Sequence, residues 1–432
     1  MPTNVIQPGT MRIALAAGVC ALVGAVTLAF AQQPALSVQA QVGQQLFFDT
    51  NLSASKQMSC ASCHDPQNHY AQPASNTQSV QLGGPNRTTP GFRAVPTLTY
   101  KFLTPPYSDN ATNPDGVSAN APGGGFTWDG RADTLAQQAS IPLLSPFEMD
   151  NASATAVVAV VQNASYAALF QQAYGANVFS DTQTAFTDIG LALQQYQMED
   201  PSFHPFTSKY DYAVSVSLSN GQPVTLTAPE QRGYLVYNYT GNCFACHYNG
   251  PITGGGGALF TDFTYQAIGV PRNPNIPANA TPFGLPTHYD LGLCTAVNPN
   301  PVNPYLMPHA PPASASLCGM FKVPTLRNTA TRNVFFHNGV FTSLAQVIDF
   351  YNTRDTNPSA WYPTKNGVLQ TFNDLPTAYK VNVDTTDIPF GLSPGATPYM
   401  TPQNEADLLC FLETLTDGYV QGVTPQDPNC VN

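Results

Sequence analysis

The stretch "MSCASCHDP", Met58 to Pro66, places two cysteines three positions apart and a histidine directly after the second. The same spacing returns 183 residues later in "CFACH", Cys243 to His247. The chain has only nine cysteines among 432 residues, so two such clusters do not follow from composition. This repeated pattern decides the fold, because both clusters must be bonded to something that orders the chain around them.

Each cluster has the spacing needed to attach a haem covalently. Two thiols three positions apart reach the vinyl groups on one porphyrin edge and form thioethers, and the next imidazole ligates the iron. Zinc is the alternative, but it needs four ligands, usually two cysteine pairs in one site. A histidine directly after each pair favours two covalently bound haem c groups, held by Cys60, Cys63, His64, Cys243, Cys246 and His247.

The first 31 residues have the layout of a signal peptide. Arg12 precedes an apolar run that ends at a small-x-small site, Ala29-Phe30-Ala31. An uncleaved membrane anchor is the alternative, because the run approaches the roughly 20 residues that span a bilayer. Export predicts a periplasmic location, where the cysteines outside the two motifs are expected to form disulfides. Their positions in the sequence favour the pairs Cys294–Cys318 and Cys410–Cys430.

Composition excludes several classes of protein. Charged residues make up 9% and hydrophobic residues 43% of the chain, so a folded protein is expected. The 40 prolines and 32 glycines indicate many loops and short helices. A net charge of −11 without Lys/Arg clusters argues against nucleic-acid binding.

The chain repeats the same outline twice, with a predicted helix before each cysteine cluster and long loops after it. A turn at Asn220-Gly221 separates the two copies. We therefore predict a mainly α, loop-rich fold of two class-I cytochrome c-like domains, at 32–220 and 221–432, each with one covalent c-type haem. Periodicity and capping residues predict helices at Leu36–Phe48, after a cap at Asp133, at Ser153–Gly175 and Thr182–Met198, and after caps at Thr227, Ser343 and Thr401.

Three longer stretches resemble a known family. They are "GQQLFFDTNLSASKQMSCASCHDP" from Gly43, "FTWDGRADTLAQQASIPLLSPFEM" from Phe126, and "GMFKVPTLRNTATRNVFFHNGVFTSLAQVIDFYNTRD" from Gly319. Together they are similar to bacterial di-haem cytochrome c peroxidases and their relative MauG, from about Gly43 to Gly418. The resemblance implies that the N-terminal haem reacts with peroxide and that the C-terminal haem transfers electrons.

The resemblance also assigns residues to the peroxide-reactive haem. His64 corresponds to its proximal iron ligand. Gln138, Pro142 and Glu148 match the residues around its distal face, with the family's spacing. Trp128 matches the tryptophan that lies between the two haems. Glu148 is thereby expected to act as general acid and base on the peroxide, with Gln138 orienting it.

At the second haem, the resemblance makes His247 the proximal ligand. The sixth ligand is methionine in typical peroxidases and tyrosine in MauG, and the matching position is Tyr351, fourteen residues after His337. An ordinary buried tyrosine is the alternative, with Met320 or Met307 then as ligand. A phenolate ligand stabilises oxidised iron and lowers the reduction potential.

Two further assignments concern ions and charges. The family binds Ca²⁺ between its domains through an asparagine side chain and backbone carbonyls. The matching asparagine position here is Ala94, and the carbonyl positions are Arg332 and Val334, so Ca²⁺ is a weak prediction. Arg131 and Arg327 are candidates for pairing with haem propionates, which suit guanidinium geometry.

Three functions follow from these patterns. The first is a cytochrome c peroxidase that reduces H₂O₂ with electrons from a small cytochrome c or cupredoxin. The second is a MauG-like enzyme that uses high-valent haem to oxidise side chains of a partner protein, which Tyr351 favours. The third is a non-catalytic di-haem electron carrier, in which both irons would be six-coordinate. A homodimer is left open by the sequence.

Overall fold

The computed structural model of the protein describes residues 35–251, 257–280, 289–295 and 314–431. The signal peptide predicted at 1–31 and the alternative ligand Met307 lie outside these residues. Within the described ranges, every helix is too short or too polar to cross a bilayer.

Helices carry most of the regular structure. In the described residues the helices are α1 Val38–Phe48, α2 Cys60–Cys63, α3 Leu135–Leu144, α4 Ala154–Gln162, α5 Ala167–Tyr174, α6 Thr182–Glu199, α7 Lys209–Val214, α8 Ala228–Leu235, α9 Pro277–Ala280, α10 Leu344–Thr353 and α11 Pro402–Glu413. Short 3₁₀ helices, a π-helical turn at Val236–Thr240 and long loops join them, as the proline and glycine content predicts.

The strands are short and form only two-stranded antiparallel ladders in the described part of the chain. These ladders are β1 Leu82–Gly83 with β2 Thr89–Pro90, β3 Ser108–Ala111 with β4 Ala121–Gly123, β5 Leu218–Ser219 with β6 Gln222–Pro223, β7 Tyr265–Gln266 with β8 Phe321–Lys322, and β9 Thr364–Lys365 with β10 Val368–Leu369. Asn220-Gly221 forms the tip of the β5–β6 hairpin, as predicted.

Several helices begin at the predicted capping residues. The Thr227 hydroxyl accepts from the Glu230 backbone N–H while the Glu230 side chain accepts from the Thr227 N–H, a reciprocal pair that satisfies two otherwise unpaired donors. Ser343 caps α10 and Thr401 caps α11, each by accepting a backbone N–H with its side chain.

Two helix predictions were wrong in detail. The cap of α3 is Thr134, not Asp133, because the Gln137 side chain accepts from the backbone N–H groups of both residues and completes a capping box at Thr134. The single helix predicted over Ser153–Gly175 is two helices. Asn163 ends α4 by donating its side-chain amide to the Ala159 carbonyl.

Each half of the chain is built on a crossing of two helices at a glycine. In the N-terminal half, a Cβ atom at Gly43 in α1 would collide with the Ala192 carbonyl of α6. In the C-terminal half, a Cβ atom at Gly233 in α8 would collide with the Asp407 carbonyl of α11. The backbones approach this closely because glycine has no side chain.

Replacing Gly233 with alanine is therefore expected to destabilise the protein by about 1–3 kcal/mol, the usual cost of overpacking. Denaturant unfolding followed by helical circular dichroism measures the change. Gly91→Ala is the matched control, because a Cβ atom there would be 3.7 Å from its nearest neighbour, the Gln81 carbonyl. Equal stability of the two variants would contradict the prediction.

Contacts group the described residues from Leu36 onward into one compact unit, and its two largest apolar clusters come from different stretches of the chain. One cluster contains buried residues between Val42 and Phe203, and the other contains buried residues between Tyr210 and Leu415. The domain boundary near residue 220 stays a prediction.

Both predicted disulfides are present. Cys294 pairs with Cys318 and Cys410 pairs with Cys430, with Cα–Cα distances of 4.7 and 5.4 Å. The four cysteines of the two motifs remain free thiols. Disulfide formation therefore leaves the Cys-x-x-Cys-His pairs available for another partner.

Candidate active site

The two halves share a sequence repeat that goes beyond the cysteine motifs. The segment Val-Pro-Thr-Leu occurs at 95–98 and again at 323–326. Further on, "FTWDGRADTL" at 126–135 corresponds to "FFHNGVFTSL" at 335–344. In each of these, the first phenylalanine forms an isolated β-bridge with the residue six positions later, Ala132 or Phe341. The repeat places equivalent residues around each motif histidine.

Backbone carbonyls orient both histidines. The Nδ1–H of His247 donates to the carbonyls of Phe260 and Pro324, both at 3.1 Å. The Nδ1–H of His64 donates to the Tyr70 carbonyl at 3.2 Å, and the carbonyl of Pro96, the counterpart of Pro324, also bonds this ring.

This arrangement prepares each imidazole to bind a metal. Burial lowers the pKa of both His64 and His247 to about 4, so both rings are neutral near pH 7. With Nδ1 carrying the proton, Nε2 has a free lone pair, and no described residue bonds it. A carbonyl that fixes the tautomer in this way is typical of metal-ligating histidines.

The first cavity brings together most of the residues predicted for the peroxide site. His64 and the thiols of Cys60 and Cys63 line it, and so do Gln138, Pro142 and Glu148. The last three come from α3 and the turn that follows it. The structure thus places the predicted distal side chains around the same cavity as the first motif.

Glu148 is the only acidic side chain lining the first cavity in the described part of the chain. Glu148 is exposed, yet nearby protein atoms still desolvate its carboxyl group. Desolvation raises the pKa of this carboxyl, while the Ser145 hydroxyl and the Arg131 charge oppose the rise. A raised pKa suits a group that must both accept and donate a proton.

The second cavity is larger and contains the second motif. Cys243, Cys246, His247 and Tyr351 line it. The Tyr351 ring stacks on Phe390 with centroids 5.6 Å apart, and no described residue hydrogen-bonds its hydroxyl. Burial raises the pKa of this phenol well above its usual value, so an ionised Tyr351 requires a cation such as iron beside it.

The repeated segments differ at one helix position that decides whether a side chain can ligate iron. α3 and α10 both follow a capped turn and both contain ten residues. Pro142 is the eighth residue of α3, and Tyr351 is the eighth residue of α10. A proline side chain has no atom that ligates iron, whereas a tyrosine does. The same position is therefore closed to coordination in one half and open to it in the other.

Trp128 belongs to the N-terminal half of the chain but lies at the second cavity. Its indole N–H donates to the Ala94 carbonyl at 2.9 Å, and its own carbonyl accepts from the Lys322 backbone N–H at 2.9 Å. Trp128 lines the second cavity and not the first. Ala94 supplies no side-chain oxygen and its carbonyl is engaged by the indole, which leaves Ca²⁺ as an untested prediction.

Two predicted arginines have protein partners. Arg327 is fully buried and binds Asp211 through both terminal nitrogens at 2.6 and 2.7 Å. Arg131 pairs with Asp129. Neither guanidinium lines either cavity, so these residues hold the fold in place. The alternative ligand Met320 is also absent from the lining of the second cavity, among the described residues.

The residues present fit a haem in each cavity. Each has two free thiols at one side and an oriented imidazole, which is the donor set of a covalently attached haem.

Comparison with known proteins also points to two haem groups. A family model described as di-haem cytochrome c peroxidase matches residues 37–217. The chain is 33% identical over 411 residues to the methylamine utilization protein MauG of Paracoccus denitrificans, covering 94% of this chain and 96% of that protein. It is 27% identical over 312 residues to cytochrome c551 peroxidase of Nitrosomonas europaea, covering 72% and 71%. The crystal structure of the diheme peroxidase BthA from Burkholderia thailandensis matches with a TM-score of 0.75 and 36% identity, covering 90% of this chain and 89% of that one.

Proposed function

The chain belongs to the di-haem cytochrome c peroxidase and MauG family and is a haem-dependent oxidoreductase; from this premise we propose that it reduces H₂O₂ at the N-terminal haem with electrons passed through the C-terminal haem. In this proposal both haems are attached covalently, one in each of two cytochrome c-like domains, and the protein works in the periplasm. The oriented imidazoles of His64 and His247 and the four free thiols support this arrangement.

When bound, the N-terminal haem supplies an iron that takes up peroxide and exchanges electrons with it. The protein supplies the proton transfer. The Glu148 carboxylate accepts the proton of the peroxide oxygen nearer the iron and donates it to the far oxygen. Breaking of the O–O bond would release the far oxygen as water, with the haem supplying the electrons that this requires. Overall, one H₂O₂ would take up two protons and two electrons and give two water molecules.

Gln138 and Pro142 shape the place where this happens. Both line the same cavity as Glu148, and the Gln138 amide offers a donor and an acceptor that orient the peroxide. Pro142 takes the helix position that Tyr351 takes in the other half. A proline there would leave the N-terminal iron open to peroxide.

Electrons reach this cavity from the second one in the proposal. Trp128 lines the second cavity and is anchored through Ala94 and Lys322, so its indole is held rigidly on the path between the halves. A small cytochrome c or cupredoxin would donate the electrons. A MauG-like reaction on a partner protein is the second candidate, and the unpartnered Tyr351 hydroxyl favours it, because a phenolate ligand stabilises oxidised iron.

The difference between Pro142 and Tyr351 at equivalent helix positions carries the proposal. It predicts one five-coordinate, high-spin haem and one six-coordinate, low-spin haem in the ferric holoprotein, measured by electron paramagnetic resonance. A stopped-flow experiment with stoichiometric H₂O₂, with and without a reduced small cytochrome, tests the reaction. Two low-spin haems that ignore peroxide in the oxidised and half-reduced protein would leave only an electron carrier.

Replacing Tyr351 with methionine is expected to raise the reduction potential of the C-terminal haem. A neutral thioether stabilises ferric iron less than an anionic phenolate does. A spectroelectrochemical titration measures the potential, and the charge-transfer band of methionine-ligated ferric haem reports the new bond. Tyr399→Met is the control, because Tyr399 is 39% exposed and does not line the cavity. An unchanged potential in the Tyr351 variant would show that this residue is an ordinary tyrosine.

A further inference from the structure

The second cavity contains two positive charges that no carboxylate among the described residues neutralises. Lys101 and Arg332 both line it. No described residue lies within hydrogen-bond or ion-pair distance of the Lys101 ammonium. The Nε atom of Arg332 is buried without a partner, and its terminal nitrogen donates only to the backbone carbonyls of Thr325 and Arg327.

The carboxylates that line the same cavity are engaged elsewhere. Asp290 binds Arg93 at 2.6 Å, and Asp374 binds Arg272 at 3.2 Å. The remaining two are Asp384 and Asp387. The Asp384 carboxylate accepts from the backbone N–H groups of Thr386 and Asp387. None of the four pairs with Lys101 or Arg332 among the described contacts.

Lys322, the third cation of the cavity, shows the contrast. Its ammonium donates to the Gly124 carbonyl and lies 4.6 Å from the centre of the Tyr265 ring. Lys322 thus has partners within the protein, whereas no described residue is a partner of the Lys101 ammonium. The unsatisfied charge of the cavity is concentrated on Lys101 and Arg332.

Burial makes this pair of charges unfavourable on its own. Desolvation lowers the pKa of Arg332 to about 10, and desolvation together with the charge of Arg332 lowers the pKa of Lys101 to about 8. Two neighbouring like charges in a partly desolvated site are stabilised by an anion beside them. Both side chains are half-buried, and both line the cavity, so the anion belongs there.

We propose that Lys101 and Arg332 together bind the propionate carboxylates of the haem in the second cavity. The inference rests on the proposed function, because it requires that haem. Thioether bonds to Cys243 and Cys246 would hold the vinyl edge of the haem, and its propionates would extend from the opposite edge. A guanidinium with a free Nε–H and an ammonium without a partner are the donors that carboxylates accept from.

The two cations come from opposite halves of the chain. Lys101 follows the Val-Pro-Thr-Leu segment at 95–98, and Arg332 follows the equivalent segment at 323–326. The haem attached to the C-terminal half would therefore be held in part by the N-terminal half. Its carboxylates would tie the two halves together beside Trp128.

Lys101→Gln and Arg332→Gln in the holoprotein test the proposal. Each is expected to lower the reduction potential of the C-terminal haem, because losing a positive charge favours the ferric state. Each is also expected to shift the propionate bending band in the resonance Raman spectrum. Arg332→Lys keeps the charge but loses the planar fork, so it should shift the Raman band while changing the potential less. Lys365→Gln, on the exposed strand β9, should change neither.

Unchanged potentials and propionate bands in both glutamine variants would overturn the proposal. If Arg332→Gln fails to fold, Arg332→Lys still tests it through the Raman band. A wild-type protein without covalent haem would refute the proposed function instead. If the holoprotein reacts with peroxide but both glutamine variants keep the wild-type potential and propionate band, only the assignment of Lys101 and Arg332 is refuted.

Discussion

Replacing Glu148 with glutamine is expected to slow the reaction of the protein with H₂O₂ by about 10²–10⁴-fold, the usual contribution of a general acid–base group. Glutamine has nearly the same size and keeps the cavity shape, but it cannot accept the peroxide proton. The rate constant for the first spectral change after mixing with H₂O₂ measures the effect. Both haems should remain attached, since no motif residue is altered.

Glu199→Gln is the matched control for this variant. Glu199 ends α6, accepts from the Ser37 backbone N–H, and does not line the first cavity. Its replacement should leave the peroxide reaction unchanged. A Glu148 variant that reacts as fast as this control would remove Glu148 from the mechanism.

The pH dependence of the same reaction gives a second signature of Glu148. The carboxylate must be ionised to accept a proton, so the rate falls as the pH drops through its pKa. Because desolvation raises this pKa, the loss should occur at higher pH than for a fully solvated glutamate. Glu148→Gln should abolish this acid limb, whereas Glu199→Gln should preserve it.

The parts of the site that were predictable from sequence depend on residues close together in the chain. The spacing of Cys60, Cys63 and His64 is local, and so is the capping pair Thr227 and Glu230. Gln138 and Glu148 reach the first cavity because α3 and the turn after it form a single local unit. Such patterns need no knowledge of the tertiary fold.

The parts that were missed depend on contacts between distant residues. Arg327 was expected to bind a haem propionate, but it binds the Asp211 carboxylate. Asp211 lies 116 residues away in the sequence, and no local sequence pattern predicts this pair. Lys101 was overlooked because a lone lysine after a loop has no signature. The repeated Val-Pro-Thr-Leu segment was a usable sequence signal, since it predicts that the carbonyls of Pro96 and Pro324 bond equivalent histidine rings.

Replacing Cys243 and Cys246 together with serine is expected to abolish covalent haem attachment in the C-terminal half. Serine hydroxyls do not form the thioethers that attach haem c, so covalent haem should fall from about two to about one per chain. Protein produced in a host that matures c-type cytochromes, denatured and then assayed for retained haem, gives this ratio. The first motif should keep its haem, because its thiols, His64 and the Tyr70 carbonyl all belong to the N-terminal half.

The double variant Cys294→Ser and Cys318→Ser is the control, because it also removes two cysteines but only opens a disulfide. It should retain both haems. The Cys243/Cys246 variant should still react once with H₂O₂ at the first cavity, but it should lose sustained turnover with a reduced small cytochrome. Two covalent haems in this variant would mean that the second motif does not attach the group. Unimpaired turnover with one haem would mean instead that electrons reach the first cavity without the second haem, and the division of labour between Pro142 and Tyr351 would then have no function.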